Sequence, residues 1–242
     1  MYHLLRNKGL ILFFIISVCF INNLLAQRVE LFRPDHDDKV YYFGATLGYT
    51  SSYLHITRSK KFINDDSVLV AEPGSSGGIF IGLAATARLS DRFQVRANPQ
   101  FIIGQARYFD YVINYPQPGE PVYQRKTLPA NIVSFPFSLK FNSDRIDNFR
   151  VYMLGGIKYD LYLTSNANVA GASNDIKFKS SDFGVEGGIG FNFFLPYFTL
   201  SPEIKFSYGL SNLHVPDPSL KYSSIIDQIN SRMVVFSLHF EY

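Results

Sequence analysis

Three groups of residues in this chain could do chemistry. The first is nucleophilic. His55 follows Ser51 and Ser52, and His214 opens a later polar stretch, so a serine activated by imidazole, as in a lipid-modifying esterase or acyltransferase, has to be weighed. No spacing ties either histidine to a serine, and the chain is read as non-enzymatic. The second group is cation-binding. His36, Asp37 and Asp38 offer oxygen and nitrogen ligands in a row, a pattern that more simply makes a solvated patch on a polar lead. The third group is the largest. Arg88, Arg96, Lys140, Lys158, Lys205, Asp160, Glu186, Glu203 and Glu241 recur at alternate positions within apolar stretches. Charges so placed could relay protons or ions, or could pair with one another, which removes the cost of burying them. Pairing is the simpler reading. The run Gly74-Ser75-Ser76-Gly77-Gly78 is followed by no helix and is no phosphate cradle. No nucleotide, haem or zinc pattern is present, and no cofactor or metal is expected.

The elements that must position these charges are strands. Successive side chains of a strand point to opposite faces, so alternation of apolar and polar residues marks one. Eight segments alternate: 40–50, 78–89, 93–103, 131–141, 149–163, 182–193, 197–210 and 231–242. In the fourth, Val133, Phe135, Phe137, Leu139 and Phe141 oppose Ser134, Ser138 and Lys140; in the last, Val234, Phe236, Leu238 and Phe240 oppose Ser237, His239 and Glu241. The connections alternate as well. Those at 90–92, 143–148 and around Leu195-Pro196 are short, whereas 57–77, 110–128, 164–181 and 213–230 are long and polar.

An even strand count with all long loops at one end predicts an all-β fold. It is an eight-stranded antiparallel transmembrane β-barrel of the outer-membrane type, with short periplasmic turns and long extracellular loops. Its apolar face meets outer-membrane lipid and its charged face meets itself. A soluble barrel could not line its core with so many charges, whereas a two-sheet sandwich could turn them to solvent and is the competing fold. So narrow a barrel is filled by its own side chains, which disfavours a pore. Aromatic residues gather at strand ends: Phe93, Phe141, Phe149, Phe193, Phe198, Phe240 and Tyr242 toward one rim, and Tyr49, Tyr159, Phe183 and Tyr208 toward the other, as headgroup girdles do. Phe240 and Tyr242 end the chain like the terminal strand read by barrel-insertion machinery. Pro99, Pro136 and Pro202 fall inside strands and predict bulges or local ladder breaks.

Composition agrees. Of 242 residues 47% are hydrophobic, 16% aromatic and only 18% charged, with Cys19 the single cysteine. Arg6 and Lys8, an apolar stretch from Leu10 to Ile21 and a small Ala26 read as a signal peptide over 1–26 cleaved after Ala26. Leu24 is large for its position, and an uncleaved anchor is the competing reading. Cleavage removes Cys19, which excludes disulfides and thiolate chemistry, and brings the charge near balance, which gives no reason to expect nucleic acid. Residues 27–39 form a polar periplasmic lead and 40–242 the barrel.

Several phrases resemble the PorT family of Bacteroidota outer-membrane barrels. They include Tyr42-Phe43-Gly44-Ala45-Thr46-Leu47-Gly48, Phe135-Pro136-Phe137-Ser138-Leu139-Lys140 and Asn148-Phe149-Arg150-Val151-Tyr152-Met153-Leu154-Gly155-Gly156. More specific are Lys179-Ser180-Ser181-Asp182-Phe183, Ser201-Pro202-Glu203-Ile204-Lys205-Phe206-Ser207-Tyr208-Gly209-Leu210, and Tyr222-Ser223-Ser224-Ile225-Ile226-Asp227 leading to Asn230-Ser231. The resemblance spans roughly 37–242 and departs at Ala45, where a bulkier residue is expected. It implies an accessory component of the type IX secretion system, which carries cargo across the outer membrane and in some members supports gliding. It implies contacts with other secretion proteins and no catalytic residue. Candidate contact surfaces are 110–128, 213–230 and the lead around 35–39. A stand-alone structural or adhesive barrel is the competing class.

Overall fold

Each alternating segment becomes a strand of one closed sheet. The computed structural model describes residues 30–59, 68–105, 107–114, 121–128, 131–163, 177–215 and 226–242. The signal-peptide reading, with Cys19, lies outside them, as do parts of the long connections. Along the chain run β1 (Tyr41–Arg58), β2 (Val68–Pro73), β3 (Ser76–Arg88), β4 (Phe93–Ala97), β5 (Gln100–Ile103), β6 (Arg107–Ile113) and β7 (Tyr123–Leu128). There follow β8 (Ile132–Asn142), β9 (Phe149–Tyr162), β10 (Lys177–Phe178), β11 (Ser181–Phe194), β12 (Thr199–Gly209), β13 (His214–Val215) and β14 (Ile226–Glu241). A 3-10 turn, Pro34–Asp37, precedes them, and the described residues contain no α-helix. All belong to the unit Phe32–Tyr242.

The main sheet has the order β1-β14-β12-β11-β9-β8-β4-β3-β5, and β1 pairs antiparallel with β3 as well as β14, so the ring closes. β4 and β5 form one stave, because Ala97 faces Phe137 and Gln100 faces Ser134 on β8 without a change of register. The ring therefore has eight antiparallel staves, and closure leaves no edge strand in the wall.

The wall is inside out. Phe43, Ile79, Ile81, Leu83, Phe137, Ile189 and Phe206 lie exposed on its outer face, while Thr46, Thr86, Arg96, Lys140, Asp160, Glu203 and Glu241 are buried within. Phe80, Ile102, Ile132, Met233 and Val235 add an apolar cluster inside the ring. Glycine makes room for the larger inward rings. A Cβ at Gly48 would stand 2.6 Å from Phe80, and one at Gly190 would stand 2.3 Å from Tyr152.

The strand prolines break single hydrogen bonds rather than the register. Leu83 N donates to Pro99 O and Asn98 N to Pro136 O, so each of these prolines keeps one bond of its pair and forfeits the one its own nitrogen would donate. At Pro202 the β11 ladder skips between Gly190–Glu203 and Phe193–Leu200, whereas pairing with β14 runs through it. These are the expected local breaks, without a bulge.

The long connections are more ordered than their polarity suggests. β2, β6 and β7 form a separate three-stranded antiparallel sheet, and β10 pairs with β13. β1 and β14 also run past the alternating segments, in register as far as Thr57 and Gln228, with a shift of register where Arg58 meets Ile226.

Candidate functional site

Inward positions of β4, β12 and β14 bring three charges to one point. Arg96 donates to Glu203 Oε2 at 2.9 Å and to Glu241 Oε1 at 2.6 Å, and all three side chains are almost wholly buried. Tyr152 Oη donates to the same Glu203 oxygen at 2.8 Å, and Ser201 Oγ donates to Glu241 at 3.2 Å. His239 lies 3.4 Å from Glu203 and 2.8 Å from Thr46 Oγ1. Lys205 extends the cluster, 3.2 Å from Glu186 and 3.6 Å from Glu203. Lys140 has no hydrogen-bond partner at Nζ and stands 4.0 Å above the Tyr152 ring, a cation–π contact in place of an ion pair. A second cluster joins Lys158 to Asp160 at 2.6 Å and Ser134 to Asp160 at 2.5 Å, with the Ser231 hydroxyl on Asp182.

This arrangement neutralises charge across staves. Arg96 spans two carboxylates with its fork, a geometry a lysine cannot reproduce. Sequence reasoning named the charged members but missed the ring of Tyr152 that links Lys140 to Glu203. Inward parity on β9 was the available signal.

Arg88 departs from the interior assignment. It is the last residue of β3 and sits at the periplasmic rim, 2.5 Å from Asp91, with a further hydrogen bond to the Asp37 carbonyl. The position alternates inward, but the wall ends there and the long side chain turns to the turn and the lead.

The lead itself is no solvated patch. His36 is buried, 4.6 Å from the Tyr42 ring and 5.6 Å from Phe194. Asp37 pairs with Arg145 at 3.2 Å and Arg150 at 2.9 Å. Arg33 donates to Thr199 Oγ1 and to the Glu241 carbonyl, each at 3.0 Å, and Phe32 N donates to Asn148 Oδ1 at 2.8 Å. Residues 32–39 thus close the periplasmic mouth as a plug. Burial, then the neighbouring Arg33, pushes His36 down to about 4, against the pull of Glu241 and Asp37. The plug was illegible because Asn148 and Arg145, which hold Phe32 and Asp37, lie more than 100 residues away.

The nucleophile and base are not assembled. His55 points outward from β1 while Ser52 is buried inside, and Ser51, on the outward side, is four residues away, about 13 Å along a strand. His214 is buried, and burial lowers its pKa. Among the described residues no group of three His, Cys, Asp or Glu could hold a metal ion. At the chain end, Phe240 packs on Phe198 at 5.8 Å on the outer face. Tyr242 is exposed, with Arg33 and Lys39 over its ring at 5.5 and 5.0 Å. Phe93–Phe141 and Phe149–Phe193 ring pairs, at 5.2 and 5.3 Å, continue that periplasmic girdle.

Residues 37–215 match the family described as "Outer membrane protein beta-barrel domain". Among solved structures, OprG from Pseudomonas aeruginosa is 14% identical, with a TM-score of 0.43 over 84% of this chain and 93% of that one. Neisserial surface protein A is 11% identical, with a TM-score of 0.43 over 83% and 97%. Ail of Yersinia pestis is 9% identical, with a TM-score of 0.40 over 84% and 100%. No curated protein matches.

Proposed function

The chain belongs to the outer membrane protein beta-barrel domain family, and from that premise we propose that it is a PorT-like accessory component of the type IX secretion system. It works through protein contacts, without catalysis and without conducting cargo. The observation that carries the non-conducting part is the filled lumen: Arg96 bridging Glu203 and Glu241, with the plug at 32–39 beneath it. The resemblance of residues such as Lys179-Ser180-Ser181-Asp182-Phe183 and Ser201–Leu210 to PorT supports the secretion role and, with it, gliding where the system drives it. Export is by a signal peptide cleaved after Ala26, and insertion machinery reads the strand ending in Phe240 and Tyr242. The surfaces offered to other secretion components are those of the β2–β6–β7 sheet and the connection before β14.

Deleting the gene is expected to trap cargo behind the outer membrane; normal surface delivery in the deletion strain would reject the role. A stand-alone structural or adhesive barrel is the second reading, favoured by the same outer sheet, where Tyr123 and the preceding Val122 are exposed. Crosslinking followed by purification in mild detergent separates the two. Recovery of other secretion components supports the first, and a lone barrel supports the second.

A further inference from the structure

Two rows of outward side chains near the extracellular rim do not resemble the rest of the wall. In the upper row, Arg232 on β14 faces Tyr53 on β1 and Tyr208 on β12 in register. Arg232 Nη1 donates to Tyr53 Oη at 3.0 Å, and its guanidinium lies 5.0 Å from the Tyr208 ring and 5.8 Å from that of Tyr53. No carboxylate among the described residues pairs with this arginine, and its Nε has no hydrogen-bond partner. A cation between two phenols at the headgroup girdle of a bilayer is built to meet an anion.

The row below is notched. It runs Leu139, Gly155, Gly187, Phe206, Val234 across β8, β9, β11, β12 and β14. Gly155 and Gly187 stand opposite each other on the lipid-facing side. Neither is demanded by the backbone, since a Cβ at Gly155 would meet nothing within 4 Å and one at Gly187 only Leu154 O at 3.7 Å. Glycine weakens a strand interior, so two adjacent ones where a side chain would fit call for a reason. They open an apolar cavity of about 790 Å³ that shares Gly187 and Phe206 with one of about 420 Å³ under Arg232.

We propose that this is a lipid site: Arg232, with the hydroxyls of Tyr53 and Tyr208, holds the phosphate of an acylated anionic lipid in the outer leaflet, and one acyl chain lies in the notch opened by Gly155 and Gly187. The guanidinium fork suits a phosphate, and the notch leads from the headgroup level into the hydrocarbon. The site is independent of any secretion role.

The test uses the full chain in nanodiscs of phosphatidylcholine doped with diphosphoryl lipid A, with retained lipid counted by native mass spectrometry. Wild type is expected to retain diphosphoryl lipid A over its dephosphorylated form. Arg232→Gln should reduce retention about tenfold, the loss of one charge-assisted contact, and the double variant Gly155→Leu/Gly187→Leu should reduce it about as much by filling the notch that takes the acyl chain. Inorganic phosphate should not compete. The space at both glycines lets the double variant fold, which an unboiled gel verifies. Equal retention by wild type and either variant, equal retention of the dephosphorylated lipid, or competition by phosphate would overturn the proposal. So would loss of a co-purifying membrane protein from the double variant with lipid retention unchanged.

Discussion

Arg96 is the residue on which the interior depends most. It touches two buried carboxylates, so its loss leaves Glu241 without its ion-pair partner and Glu203 with only the longer contact to Lys205. Arg96→Met should destabilise the barrel by about 3–5 kcal/mol, read as a lower urea midpoint in lipid vesicles. A midpoint within error of wild type would mean the carboxylates are not paired as described. His36 supplies a different test, outside the bilayer. Docked in the plug it sits at about 4, against 6.5 when free, because burial and Arg33 disfavour its charge. A base depressed by docking is neutral in the docked state, so docking is complete above the free value. It weakens as pH falls toward the docked value, by up to about tenfold per pH unit. A spin label at Asp35 should therefore become mobile between pH 6.5 and 4, and His36→Phe should abolish that pH dependence. A label whose mobility ignores pH would place His36 elsewhere.

At the scale of elements, the plug stands or falls with Asp37, which ties the 3-10 turn to both Arg145 and Arg150. Asp37→Ala should release residues 32–39 to protease while the barrel keeps its unboiled gel mobility. Unchanged cleavage would show that Arg33 and Phe32 hold the lead alone. The strands themselves were readable over the bilayer-spanning part and not beyond, for a physical reason. Up to Thr50 the apolar residues of β1 point outward to lipid. Past that point Leu54 is buried inside while His55 points out to water, so the polarity reverts to that of a soluble protein. β14 shows the same reversal, with Ile226, Ile229, Met233 and Val235 buried inside and the inverted pattern beginning at Phe236 and Ser237. Alternation read with one polarity ends where the other begins. The β2–β6–β7 sheet went unread because its short strands gain stability from one another and from β1, which no local window reports. Arg88 was misplaced by the same logic, since parity alone does not show where the wall stops.

On the scale of the whole molecule, the chain solves one problem twice. Closure of β1 on β14 leaves no backbone edge facing lipid, and cross-stave pairing leaves few charges alone inside. What enters the lumen from below is the chain's own lead. The barrel is thus a closed frame that displays surfaces, and this is the basis on which a contact role in secretion, not a conduit's, is proposed for it. The inverted wall underlies all of this and can be measured directly on β8 by single nitroxide labels along Ser134–Phe141 in lipid vesicles. Oxygen dissolved in the bilayer should relax labels at Phe135, Phe137 and Leu139 strongly and those at Ser134 and Ser138 weakly. A water-soluble paramagnetic reagent reaching the Phe135, Phe137 and Leu139 labels, or no alternation at all, would contradict it.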